Sequence, residues 1–237
     1  MVTFAAIRAR AAERKGGEDV LQSLLGPRPD PKRLAELGDD RVLSAMAERI
    51  FSAGFVWSVI TQKWPGFEAA FLGFVPKRLI FEPDDFWHAL AADSRIVRNP
   101  QKIRAVRDNA LFVDAVATEH GSFGAFLAAW PADDQVGLTA YLGKHGSRLG
   151  GNTAQYFLRW IGWDAFILSD DMTAALQHAG LQISRPATSK RDLALIQEKL
   201  NRWAEETGLP YTHLSKILAM SSGENRSPEA LRAYLGD

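Results

Sequence analysis

The stretch KHGSRLGGNTAQYF, residues 144–157, has a basic lead-in, three glycines within six residues and then a run with helical character. The first N–H groups of a helix have no intrahelical partner, so an exposed helix start preceded by flexible backbone is suited to holding an anion. Extended to residue 171, the segment reads as helix, short glycine-containing hairpin, helix, linker and the pair Asp170-Asp171. Hairpin amides can then approach a phosphate without side-chain obstruction, and a carboxylate about twenty residues further on can face the sugar of the same nucleotide. The same spacing also fits a glycine-rich helix–helix turn with two exposed acids.

The rest of the chain narrows the setting. Its 237 residues are 46% hydrophobic and 24% charged, the composition of an ordinary globular protein with ample apolar material for a core. No stretch approaches a membrane span, and the N-terminus has neither a secretory nor a transit-peptide pattern, so the expected address is cytoplasmic. Without cysteine the chain has no disulfide, thiolate metal site, iron–sulfur cluster or thiol nucleophile. Net charge is zero, but its distribution is uneven. Ser94–Arg107 holds five basic residues and no acid, and Gln135–Trp163 holds Lys144, Arg148, Arg159 and His145, again without an acid. Phosphate-facing surfaces have this composition, and so do ordinary solvated ones.

Apolar residues recur at helical spacing almost throughout, and no period-2 strand pattern or internal repeat is present. Residues 41–64 read as one helix, with Pro65 at a following start or turn. Asn99-Pro100 is a cap followed by proline at the first helical position. Asp84 or Asp85, and Ser189 or Thr188, are further candidate caps, and Gly180 a helix end. The expectation is an all-α chain of about ten or more helices in two lobes around a cleft. It forms a single unit over 1–237, with a motif-bearing core at about 40–180 and a C-terminal helical extension at 184–237.

Two blocks resemble a known superfamily. LGGNTAQYFLRWIGWDAFILSDDMTAAL (149–176) is similar to the hairpin, helix and catalytic-aspartate segment of the helix–hairpin–helix DNA glycosylases, above all the type II DNA-3-methyladenine glycosylases. Upstream, ERIFSAGFVWSVITQKWPGFEAAFLGF and DSRIVRNPQKIRAVRDNA resemble the type I DNA-3-methyladenine glycosylases. The resemblance implies a base-excision repair hydrolase that flips a damaged nucleotide out of double-stranded DNA and cleaves its N-glycosidic bond. It implies Asp171 as the catalytic carboxylate and Trp57 and Tyr156 as base-pocket aromatics. Glu48 joins the pocket as a candidate, one residue before the position where type I enzymes carry a substrate-contacting glutamate; here that position is Arg49.

For the DNA backbone the candidates are Arg148, Gly150, Gly151, Asn152, Thr153, Lys144, Arg98 and Lys102. Asn152 stands where strand-cleaving relatives have a Schiff-base lysine, which implies a monofunctional enzyme. No metal site or cofactor is implied, and the expected state is a monomer. The runner-up is a non-catalytic DNA-binding protein that retains the fold. Trp160, Trp163 and Trp203 are expected in the core. His88, His120, His178 and His213 are expected at the surface or as caps, and Asp170 as a cap or hairpin partner.

Overall fold

The computed structural model describes residues 2–235. In chain order the helices are α1 (Phe4–Lys15), α2 (Glu18–Leu25), α3 (Pro31–Ala35), α4 (Asp39–Ser52), α5 (Trp57–Ala70), α6 (Pro76–Leu79), α7 (Asp84–Leu90) and α8 (Pro100–His120). There follow α9 (Phe123–Ala129), α10 (Gln135–His145), α11 (Asn152–Trp160), α12 (Asp170–His178), α13 (Lys190–Thr207), α14 (Tyr211–Met220) and α15 (Pro228–Leu235). Among the described residues there is no strand, as the periodicity predicts.

Several boundaries follow local chemistry. The Asn99 side chain accepts from the Lys102 amide at 3.1 Å with Pro100 in the first turn, so α8 starts where the sequence places it. The single helix expected over 41–64 is broken: Ala53 takes an extended conformation and Gly54 has φ +75°, which ends α4 and lets α5 begin at Trp57. Pro65 lies inside α5 instead of at a start or turn. Pro83 takes the cap position of α7, leaving Asp84 and Asp85 in its first turn.

The chain divides into two compact units. One holds Asp30–Pro131 and Gly137–Trp163, with α4 and α8 packed together. Its centre is aromatic: Phe51, Phe67, Phe71 and Phe74 are fully buried, and Trp64 stacks on Phe67 and Phe74 at ring-centre distances of 4.9 and 5.5 Å. Buried Asn109 on α8 pins the α10–α11 hairpin, donating to the Ser147 carbonyl at 3.0 Å and accepting from the Ser147 amide at 2.7 Å.

The other unit combines the segment ending at Pro29, Ala132–Val136 and the chain from Asp164 onward. Here α14 packs against α1, α2, α12 and α13 around Phe4, Leu21, Phe166, Met172, Leu200, Trp203 and Leu214. Residues from 184 onward therefore share a core with α12.

Candidate active site

The base-pocket candidates come together in the unit that contains α4, α5 and α11. Trp57 opens α5 directly after the exposed turn residues Phe55 and Val56. That turn is fixed from beneath by Lys102, whose ammonium donates to the carbonyls of Phe51 at 3.2 Å and Ala53 at 2.7 Å, satisfying groups a helix end leaves open. Lys102 is only 8% exposed, so burial, and then the neighbouring Arg148, lower its pKa. Its ammonium is committed to the backbone and is not displayed to solvent, contrary to the phosphate-contact expectation.

Trp57 and Tyr156 meet edge to face with ring centres 5.9 Å apart. Arg49 joins them. Its guanidinium carbon is 4.4 Å from the ring centre of Trp57 and 4.3 Å from that of Trp160, and a guanidinium nitrogen is 2.9 Å from Glu48. The Arg49 side chain is 3% exposed and that of Glu48 12%. Burial raises the Glu48 pKa, against a smaller opposing pull from Arg49. Glu48 thus belongs to the aromatic cluster, reached through Arg49. Trp160, expected in the core, is 54% exposed and forms one wall of it. Trp163 and Trp203 are buried as expected. The spacing in α11 offers a signal for Trp160 only in hindsight: Ala154, Phe157 and Leu158 bury one face, and Trp160 is off it.

The hairpin displays Lys144, Arg148, Gly150, Gly151 and Asn152 to solvent, with Thr153 half-buried. Gly151 adopts φ +55° and ψ −133°, a conformation open in practice only to glycine, and no side chain caps α11. Its first amides are thus left open, as an anion site requires. Arg148 donates to Gln101 on α8, which together with the Asn109–Ser147 pairing sets the two acid-free stretches side by side. Arg98 is exposed just before α8. Part of the basic charge is neutralised by acids remote from those stretches or flanking them: Arg107 pairs with Asp84 at 2.7 Å and Arg95 with Asp93 at 2.6 Å.

Asp171 lies in the other unit, half-buried in the first turn of α12. Ser169, not Asp170, caps this helix, accepting from the Met172 amide at 3.2 Å; Asp170 is exposed, 3.9 Å from Arg185. The α-carbon of Gly223 is set so close to Asp171 that an added Cβ would fall 1.8 Å from its Oδ1. Two residues at the end of α1 hold that segment in place. Arg14 donates to the carbonyls of Met220, Ser222 and Gly223 at 3.0, 3.2 and 2.7 Å. Lys15 donates to Asn225 Oδ1 at 3.0 Å and the Arg226 carbonyl at 2.8 Å. Burial and then the Arg14 charge lower the Lys15 pKa, and the Asp171 charge works against both. The sequence reading missed Arg14, Lys15 and Gly223. Also in this unit, His213 is buried, with a ring nitrogen 3.2 Å from the Gly26 carbonyl, which corrects its expected surface position.

Comparison with known proteins concerns mainly the first of these regions. The sequence model of the methyladenine glycosylase family matches residues 34–141, which include Glu48, Arg49 and Trp57 and end before the hairpin. No curated protein matches the chain. Among solved structures, the chain is similar to 3-methyladenine DNA glycosylase I from Staphylococcus aureus, at 21% identity over 53% of this chain and 77% of that one, with a TM-score of 0.48. A second 3-methyladenine DNA glycosylase I gives 21% identity over 57% and 82%, with a TM-score of 0.47. Over residues 34–141, somewhat under half of its length, this chain is similar to the methyladenine glycosylase family.

Proposed function

We propose that this chain is a base-excision repair DNA glycosylase that hydrolyses the N-glycosidic bond of alkylated purines such as 3-methyladenine. The observation that carries the reading is the cluster of Trp57, Tyr156, Trp160 and Glu48 in the family-matched unit, because it already holds a planar cation. An N3- or N7-alkylated purine is itself a planar cation, and stacking on indole faces favours it over the neutral bases by cation–π attraction.

Such a base needs little help to depart. The C1′–N bond breaks with its electron pair passing to the base, which leaves neutral, and the sugar develops oxocarbenium character. Asp171, as carboxylate, is assigned to stabilise that cation and to orient the water that adds to C1′, with the water's proton passing to the carboxylate or to solvent. The open amides at Gly151 and Asn152, with Lys144, Arg148 and Arg98, are assigned to the phosphates of damaged double-stranded DNA. Asn152 has no amine with which to attack C1′, so strand cleavage through a Schiff base is not part of the reaction, and a monomer suffices for it.

The test is mass spectrometry of bases released from methylated duplex DNA, beside borohydride trapping. Free 3-methyladenine without a trapped covalent adduct is the expected result. Binding to an abasic-site duplex with no base release would instead favour the non-catalytic DNA-binding reading.

A further inference from the structure

A guanidinium is planar, delocalised, weakly hydrated and edged with N–H donors. Arg49 uses each property here: its face lies against two indoles and its edge against the Glu48 carboxylate. An N-alkylated purine offers the same set, a flat delocalised cation with an amino edge. Resting on the glycosylase reading above, we propose that Arg49 is an internal stand-in for the substrate base, and that the damaged base enters the Trp57–Trp160 cage by displacing the guanidinium and taking over Glu48.

The cage is built for such an exchange. Arg49 reaches it from α4 on a flexible stem, while Trp160 is more than half exposed and leaves one wall open to solvent. Arg49 then sets a threshold. A neutral base recovers the stacking but neither the cation–π attraction nor the charge partner for Glu48, so it fails to repay the displacement. A cationic base recovers all three. The cost is a reduced apparent affinity even for the right base, lowered by the fraction of molecules in which the cage is open.

The test compares the wild type with Arg49→Ala and Arg49→Gln, the latter keeping a hydrogen bond toward Glu48 without the charge. Each is assayed for single-turnover base release with enzyme in excess of methylated duplex but below saturation, with and without added methylguanidinium. Tryptophan fluorescence reports methylguanidinium binding in parallel. Both variants should release base faster, by roughly tenfold, since the base no longer has to outcompete an internal cation. Release of undamaged purines should rise as well. Methylguanidinium should bind Arg49→Ala but not the wild type, and should slow the variant back toward wild-type rates.

The opposite sign overturns the inference: variants that lose activity, regained on adding methylguanidinium, would show that the reaction needs the guanidinium. Unchanged rates in both variants overturn it too. If Arg49→Ala fails to fold, Arg49→Gln decides. If no form releases any base, the glycosylase reading fails, and the stand-in is judged on binding alone. Methylguanidinium quenching in Arg49→Ala and not in the wild type upholds an internal cation site, and its absence overturns one.

Discussion

In the unit matched to the methyladenine glycosylases, Glu48 stands 2.9 Å from a nearly inaccessible guanidinium, with aromatic rings around the pair. In the other unit, Asp171 sits at the start of α12, where the helix dipole favours a negative charge, and faces a glycine instead of a side chain. Lys15 is near enough to act on Asp171 through its charge, yet its ammonium donates to Asn225 and to the Arg226 carbonyl. One carboxylate is tied to an internal cation, and the other is held in a positive field without being tied to it. The difference teaches which acid is suited to which task. A carboxylate engaged by arginine can be handed to an incoming cation, whereas one that must meet a transient sugar cation needs its oxygens kept open.

Removing Glu48 tests the tied side of this comparison and should have the largest effect. Glu48→Ala leaves the buried Arg49 charge without its carboxylate, a loss of about 3 kcal/mol that a denaturant titration would read directly. Glu48 also has a pH signature. Its pKa is raised in the folded chain, so the native state binds more protons than the unfolded one between the ordinary carboxylate value and the raised one. Stability should therefore fall as pH rises through that window, and Glu48→Gln should flatten the fall.

Gly223→Val probes the open side. The new side chain must push the Asp171 carboxylate aside, because the clash is with its oxygens and not with a helix backbone. Base release should drop on the order of 10², since small misplacements of a reacting group cost that much. The left-handed backbone at Gly223, φ +65°, also strains valine there, so the melting temperature falls as well. A variant that melts early but turns over normally would break the assignment of Asp171.

Lys15→Met should give the smallest change. The lowered lysine pKa means that the unfolded chain holds the proton over a range where the folded one has released it, so wild-type stability rises with pH just below the ordinary lysine value. The variant should lose that rise while keeping most of its neutral-pH stability. Midpoints of urea unfolding across that range would show it.

Much of the fold was legible because local signals decide it. Asn99 with Pro100 starts α8, Ser189 caps α13 by accepting from the Asp192 amide, and Gly151 needs a backbone that only glycine supplies. The break at Ala53-Gly54 was hidden because apolar spacing continues across it. Trp57, Tyr156 and Glu48 could be placed by pattern, but not Trp160 beside Arg49, since that contact joins α4 to α11 across more than a hundred residues. The environment of Asp171 was likewise illegible. It is made by the end of α1 and the stretch after α14, segments with no motif of their own, brought together by the packing of α1 against α14.

The most direct measurement is single-turnover base release from methylated duplex by Asp171→Asn beside Asp170→Asn. Each substitution keeps the side-chain shape and removes one charge from the first turn of α12. Asp171→Asn should lose on the order of 10²–10³ in rate while binding an abasic-site duplex almost as well as the wild type. Asp170→Asn, exposed beside Arg185, should retain the wild-type rate. Full activity in Asp171→Asn, or loss of activity in Asp170→Asn alone, would contradict the role given to Asp171.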